Sequence, residues 1–483
     1  MTATERARER ENWSNRTLFH GDNLGFLQGI NSGTIDLIAT DPPFNKNRDF
    51  HATPDSLAKG AKFKDRWSWD DDVHPDWVDQ IQDDWPATWE VVAASRTVYG
   101  DDMAAFLCWL GVRLMEMHRV LRDHGSIYLH IDRTAHAYVK LLMDSIFRAD
   151  NFRNEIVWCY RGGGVPRDAF AHKHDTILRY SASKEFTFHK QFVPYSEAST
   201  KLVESRGGVS IDKRERNLER GATMPDWWAD INSLQTWSPE RTGYPTQKPL
   251  ALYERIIKAS SNPGDVVLDP FCGCATTPIA AERTGRRWLG MDIWDGAHDQ
   301  VLNRLKAEGL AVPDDEPGSG RLITFGDVSL KTKPPQRTDD DEIAAPMLKL
   351  KTRRATEPWQ KLSKAAMRNV LVAAQLAQPP VSLPVCAGCG RELEEAFLEL
   401  DHIRPRSDGG ENFITNRVLL CGPCNSRKSN DRTMVGLRKE NKQAGWMVNE
   451  EASVRAQRAA QLLANSVRDD WDNPDTQALI DGR

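Results

Sequence analysis

Residues 265–277 restrict the fold more than any other stretch of this chain. An apolar run from Asp265 to Asp269 passes directly into Pro270-Phe271-Cys272-Gly273-Cys274, and Thr276-Thr277 follow. Such a run, closed by small residues and hydroxyls, predicts a strand, a tight turn and a helix N-terminus. That corner of an open α/β sheet is where nucleotide-bearing ligands are held. The turn carries one glycine, so it is not the GxGxxG fingerprint, and no Lys-Ser/Thr pair follows, so it is not a P-loop. An isolated Asp-Pro-Phe turn would ordinarily be a plain strand end. Here Tyr244-Pro-Thr-Gln-Lys-Pro249 stands just upstream and argues for a site.

A second strand end has the same character. Residues 34–40 read as a buried strand, and Asp41-Pro42-Pro43-Phe44-Asn45 sits at its carboxyl end, the edge at which such sheets bind ligands. His20-Gly-Asp22-Asn leads into a short amphipathic helix. Residues 103–124 carry apolar positions at helical spacing up to Gly125, read as a C′ glycine. Strands are predicted at 126–132, 154–160, 175–183, 286–293 and 321–325, and helices at 135–147 and 297–308. Residues 46–95 look irregular, with Trp67, Trp69, Trp77, Trp85 and Trp89 among many acids. A surface excursion packed on its own aromatics, a mobile lid and a dimer contact all remain open for it.

DPFCGC resembles the AdoMet-binding motif of DNA amino-methyltransferases, usually written DPFxGxGT. With TQKP and DPPF, residues 15–330 resemble the β group of that family, in which the catalytic motif precedes the AdoMet motif. The match is closest to adenine-specific, Mod-like enzymes. The resemblance implies a Rossmann-like AdoMet-dependent methyltransferase sheet of α/β class with permuted motif order. It implies that Asp269, Phe271 and Gly273 border S-adenosyl-L-methionine and that Asp292 hydrogen-bonds its ribose. Thr246 and Lys248 would lie near the methionine part, and Asp22 near the cofactor adenine or the catalytic loop. Ala275 departs from the pattern, which usually has a second glycine there. Cys272 and Cys274 read as small packing residues rather than a redox pair.

The chemistry needs these residue types. A base amino nitrogen is a poor nucleophile because its lone pair is delocalised into the ring. Acceptors on its N–H bonds draw it toward a tetrahedral form. Asp41 supplies one acceptor and the Pro42 carbonyl another, with Pro42 and Pro43 stiffening the backbone. Phe44 offers a face to a base rotated out of the duplex. DPPF rather than SPP favours adenine over cytosine as the target. Residues 161–240, polar and basic, are where such enzymes carry target recognition.

Past residue 328 the pattern changes. Residues 329–347 combine Pro-Pro with an acidic run and read as a linker. Residues 349–368 are basic, and a helix is predicted over 359–377, stopped by Pro379-Pro380. Cys386-x-x-Cys389 and Cys421-x-x-Cys424 have the spacing of a closed four-thiolate zinc site that staples a small module. Between and after them stand Asp401-His402, Asn416 and Asn425, and residues 381–432 resemble an HNH (ββα-metal) nuclease. That resemblance assigns His402 as base and Asp401 and Asn425 as ligands of magnesium or another divalent cation. Asn416 would orient the His402 imidazole, and Arg404, Arg406, Arg427 and Lys428 would meet phosphates. A helical tail, 433–483, ends the reading.

Composition narrows the rest. A net charge of −5 over 483 residues leaves no global basic field, so a DNA-binding surface must be local. No apolar h-region opens the chain, and no run approaches the roughly 18 residues needed to cross a membrane. The eight cysteines do not form a disulfide-like framework, which suits a reducing cytoplasm. The expectation is a single-chain restriction–modification enzyme acting on double-stranded DNA: a methyltransferase (1–328), a linker and basic helix (329–380), an HNH nuclease (381–432) and a tail. Two alternatives stay open. One is a modification-only adenine or N4-cytosine methyltransferase with a non-cleaving zinc module. The other is a nucleic-acid-binding regulator with both sites inert. A homodimer is also left open.

Overall fold

The computed structural model describes residues 10–162, 164, 166–205, 211–314, 323–340, 342–345, 357–377, 382–405, 410–429 and 432–481. It divides into two compact units, Met1–Asp72 with Val91–Gln336, and Val73–Glu90 with Arg337–Arg483. Among the described residues no helix is long and apolar enough to cross a membrane.

The first unit is built on one sheet. Its strands are β1 (Thr17–His20), β2 (Ile35–Thr40), β3 (Leu121–Ile131), β4 (Phe152–Cys159), β5 (His174–Ser181), β6 (Trp227–Trp228), β7 (Val266–Asp269), β8 (Arg287–Asp292) and β9 (Ser329–Lys331). They lie in the order β6-β4-β5-β3-β2-β7-β8-β1-β9. β5 runs antiparallel to both neighbours, and every other pairing is parallel. β2 and β7 are buried at every position, as strands covered on both faces must be. Helices Leu250–Ser260, Thr276–Arg283 and Ala297–Ala307 bring Ile256, Ile279 and Val301 into one core with Leu37, Val267 and Trp288.

Several elements differ from the sequence-based expectation. The long helix spans Asp101–Val120, and Gly125 lies inside β3, not at a helix C′ position. The β2–β3 register shifts there, and a Cβ on Gly125 would come within 3.0 Å of the Arg122 and Asp36 carbonyls. Close backbone approach, rather than a left-handed cap, selects this glycine. The sheet does not end at residue 328, because Ser329–Lys331 pairs in parallel with β1 as its edge strand. Within 321–325, only Ile323–Thr324 is a strand; it joins Ala311–Val312 outside the main sheet, and residues 321–322 fall outside the described residues. The 46–95 stretch holds a hairpin, Phe50–His51 with Lys62–Phe63, and helices Pro75–Asp84 and Pro86–Tyr99, each opened by a proline at its first position. Residues 161–240 contain helices Glu197–Ser205 and Ile211–Arg220 besides β6.

The second unit contains a hairpin of β10 (Leu398–His402) and β11 (Arg417–Cys421), followed by helix Gly422–Lys428. This is a ββα arrangement. Ser363 caps helix Lys364–Leu376 by accepting from Ala366 N at 3.1 Å. The apolar side of that helix, Met367, Val370, Leu371 and Ala374, is buried. It is therefore part of this unit's core and not a free tether; Pro379, Pro380 and residues 349–356 lie outside the described residues. The expected tail is likewise core, since helix Glu450–Asp469 packs Ala452, Ala456 and Ala460 with the four cysteines and Leu419.

Candidate active sites

The carboxyl ends of β2, β7, β8 and β1, consecutive in the sheet, open on one cavity of about 270 Å³. Asp22, Asp41, Pro42, Pro43, Phe44, Thr246, Lys248, Asp269, Phe271, Gly273 and Asp292 all line it. Residues singled out up to 270 positions apart in sequence are thus gathered in one place (22 against 292).

Asp269 ends β7 fully inside the protein. Its Oδ1 accepts from Thr40 Oγ1 at 2.6 Å, tying the ends of β2 and β7, and from Phe271 N at 3.1 Å. Burial pushes its carboxyl up to about 6, against the lowering effect of those hydrogen bonds. Asp292, at the end of β8, accepts from Gly273 N at 2.6 Å and Trp294 N at 2.8 Å, and burial raises it too. The turn between them is left-handed at Gly273 (φ +50°) and at Ala275 (φ +66°), the position where the family pattern has its second glycine. Arg304 Nη1 braces that turn from behind by donating to Cys274 O at 2.8 Å and Thr276 Oγ1 at 3.0 Å. Cys272 and Cys274 are buried free thiols, and burial raises both.

Asp41 receives Lys248 Nζ on Oδ2 at 2.5 Å, and the same ammonium donates to Thr246 O at 3.2 Å. Lys248 Nζ stands 5.0 Å from the Phe44 ring centroid, and the buried His130 ring stacks on Phe44 at 5.9 Å. His130 Nε2 meets Asp175 Oδ2 at 3.2 Å. Burial and the nearby Lys248 ammonium lower His130, against the raising effect of Asp175. Asp22 caps helix Asn23–Gly29 through Leu24 N at 2.8 Å and takes Arg113 Nη2 at 2.9 and 3.0 Å. Arg113 also donates to Asn23 Oδ1 at 2.7 Å, and Asn23 Nδ2 donates to Pro270 O at 2.8 Å, so one buried guanidinium links Asp22 to the β7 turn.

Sequence reasoning missed Arg113, Trp109 and His130, and named Tyr244 as part of its motif without giving it a role. Arg113 had a signal, an arginine inside an otherwise apolar helical run. His130 had none. Tyr244 lies so close to the turn that a Cβ on Gly273 would meet its ring at 3.0 Å. Carboxylates at two strand ends, aromatic walls and a tight turn whose amides are tied to those carboxylates suit a nucleoside-bearing cofactor.

In the second unit the Sγ atoms of Cys386, Cys389, Cys421 and Cys424 all lie within 4.8 Å of one another. Tetrahedral zinc–thiolate bonds of about 2.3 Å place sulfurs just under 4 Å apart, so the set fits a structural zinc ion. Cys421 N at 3.2 Å and Gly388 N at 3.4 Å point at Cys386 Sγ, and Asn441 Nδ2 points at Cys424 Sγ at 3.4 Å, as donors do around thiolates.

The hairpin next to it carries Asp401 and His402, but their partners differ from the expected ones. Asn416 does not orient the imidazole: it accepts from Arg404 N and donates to Arg404 O, both at 2.8 Å, and to Glu411 O at 2.9 Å. His402 Nε2 instead meets Asn412 Oδ1 at 2.9 Å. Its Nδ1 faces Arg417 Nη1 at 3.4 Å, and because a guanidinium can only donate, the proton belongs on Nε2. Asp401 Oδ2 is ion-paired with Lys428 Nζ at 3.0 Å, and Asn425 Nδ2 donates to Glu399 Oε2 at 2.5 Å. As arranged, this pair does not fit a divalent cation, since an ammonium already faces the carboxylate. Lys428 is 1% exposed and turned away from any phosphate. Arg427 packs on Trp446 at 4.4 Å, and Arg406 lies outside the described residues.

Residues 35–303 match the family model described as DNA methylase, and residues 386–431 match that described as HNH endonuclease. The DNA adenine methyltransferase YhdJ of Escherichia coli (strain K12) is 30% identical over 297 residues, covering 60% of this chain and 82% of its own. The type II methyltransferase M.HpaI of Haemophilus parainfluenzae is 27% identical over 285 residues, covering 58% and 71%. The type II methyltransferase M.BglII of Bacillus subtilis is 27% identical over 319 residues, covering 64% and 72%.

Proposed function

The chain belongs to the DNA methylase family of the N6 and N4 type and carries a C-terminal HNH domain; from that premise we propose that it methylates the exocyclic amino group of adenine in double-stranded DNA and that its HNH domain hydrolyses DNA. The observation that carries the first part is the meeting of Asp41, Lys248 and the β7 turn at one cavity. S-adenosyl-L-methionine, when bound, supplies an electrophilic methyl group on its sulfonium. Asp292 and the Gly273 turn would hold its ribose side, Phe271 and Tyr244 would wall it, and Thr246 and Lys248 would border its methionine end.

Asp41 and the Pro42 carbonyl would accept the two N–H bonds of the target amine and free its lone pair to act as the nucleophile. Lys248 holds Asp41 through Oδ2 and leaves Oδ1 to the base. The aminium product sheds its extra proton to that carboxylate. Phe44 supports the extruded base, and residues 161–240 read the site. Adenine is favoured over cytosine by the aspartate of DPPF and by the adenine specificity named for the E. coli relative. The enzyme acts in the cytoplasm.

The test is transfer of labelled methyl from S-adenosyl-L-methionine to unmodified DNA, followed by nucleoside analysis. N6-methyladenine is expected. N4-methylcytosine would overturn the adenine assignment, and no incorporation would overturn the transferase reading.

For the HNH domain, the four cysteines would hold structural zinc, and His402 would activate the attacking water through Nδ1, the unprotonated nitrogen, once Arg417 turns from it. No step is assigned to a divalent cation, because Asp401 and Asn425 are otherwise engaged. That engagement favours a second reading, a DNA-gripping module without cleavage. His402→Ala separates the two. It is expected to abolish cutting and spare methyl transfer, and absence of cutting by the wild type on methylated and unmethylated DNA alike would establish the second reading.

A further inference from the structure

Asp65 belongs to the excursion that follows the catalytic turn and is 1% exposed. Its Oδ1 accepts from Asn45 N at 2.6 Å and its Oδ2 from Lys46 N at 3.0 Å. These two amides directly follow Phe44, and Asn45 is left-handed (φ +59°), a conformation asparagine tolerates better than most residues. Both oxygens of a single carboxylate therefore fix the exit of the turn that begins at Asp41. Burial raises the Asp65 carboxyl, and the two backbone donors oppose that shift.

Phe63 and Trp67 flank Asp65 at a spacing of two, and all three line the cavity. The Phe63 ring stacks on Tyr244 at 6.4 Å, the ring that covers Gly273. The Trp67 ring lies 4.4 Å from Trp109, which in turn lies 5.7 Å from Phe271. The segment touches the cofactor turn by two aromatic routes and the catalytic turn through Asp65.

We propose that Asp65 is a positioning residue for methyl transfer, and that the segment around it couples occupancy of the cofactor cavity to the geometry of the catalytic turn. The acceptor base is then held productively only when the cofactor cavity is filled. This inference rests on the methyltransferase reading above.

The test uses the full chain with Asp65→Ala and Asp65→Asn, and sinefungin as an unreactive cofactor analogue. Three quantities are measured: sinefungin affinity, affinity for unmodified DNA with and without sinefungin, and the single-turnover methyl-transfer rate. In the wild type, sinefungin is expected to tighten DNA binding about fivefold or more. In Asp65→Ala that enhancement disappears and transfer slows about 10- to 100-fold, while sinefungin affinity without DNA stays within about twofold. Asp65→Asn, which keeps one acceptor, falls between. Wild-type coupling and rate in both variants would overturn the proposal. Loss of sinefungin affinity in parallel with rate would also overturn it, by showing that Asp65 only holds up the cavity wall. Wild-type protein that transfers no methyl group would instead defeat the methyltransferase reading, and this inference with it.

Discussion

Replacing Asp269 by asparagine should stabilise the empty first unit at pH 8, although the residue sits at the centre of the cofactor turn. Burial moves its carboxyl from 3.8 up to about 6. The folded state thus holds this proton about two decades more tightly than the unfolded chain. The sign follows from linkage: the unit loses stability as pH rises through about 4 to 6, and stays at the lower level above that. Each decade corresponds to about 1.4 kcal/mol, so ionised Asp269 weighs against folding by about 3 kcal/mol at pH 8. Asparagine keeps an Oδ1 to accept from Thr40 and Phe271 N, the two bonds seen at that oxygen. The variant should therefore be more stable than wild type, by about 3 kcal/mol at pH 8 and by roughly half as much at pH 5. Guanidinium unfolding at the two pH values measures this, with the first unit's transition identified by its response to sinefungin. A stability difference that does not grow with pH, or a variant less stable than wild type at pH 8, would refute the argument.

Other perturbations probe separate links. Gly273→Ala forces a side chain onto a left-handed residue and to within 3.0 Å of the Tyr244 ring; calorimetry should find cofactor affinity reduced about tenfold, the equivalent of 1–2 kcal/mol. Arg113→Met removes the donor to Asp22 and Asn23. Because the Asp22 side chain is 67% exposed, solvent replaces part of the loss, and thermal unfolding should report a cost of about 1–2 kcal/mol together with weaker cofactor binding. Cys386→Ser should abolish the zinc released by thiol titration of the wild type and melt the second unit's core while methyl transfer persists; zinc-free wild-type protein with unchanged melting would contradict it.

What the sequence made legible was local. DPPF, DPFCGC and the two C-x-x-C pairs pack their chemistry into a few consecutive residues, so the strand-turn-helix corner and the thiol cluster could be read without a partner. Asp65 and His130 could not, because their meaning lies in Asn45, Lys46 and Phe44, brought to them by the pairing of β2 with β3 and by a returning loop. Ser329–Lys331 is too short to show a strand's alternation, and Pro334-Pro335 behind it looked like a linker. The basic helix was misjudged differently. Its charges were counted, yet Met367, Val370, Leu371 and Ala374 already traced a buried stripe at 3.6-residue spacing.

The two sites share a feature whose consequences are opposite. In each, a lysine ammonium sits on the aspartate that the sequence singled out: Lys248 on Asp41, and Lys428 on Asp401. Removing one partner of so buried a pair costs about 3–5 kcal/mol, so neither lysine is idle. For methyl transfer the pairing helps. On the proposed reading Asp41 needs one oxygen free to draw on an amine, and Lys248 holds the other oxygen while bordering the same cavity. For phosphodiester hydrolysis through a bound cation the pairing competes, because Asp401 would have to exchange Lys428 for the metal. The methyltransferase site is arranged for its proposed step as it stands, whereas a cation at Asp401 would require the HNH site to rearrange first. On the proposed reading, that difference makes modification the ready reaction and cation-dependent cleavage the conditional one.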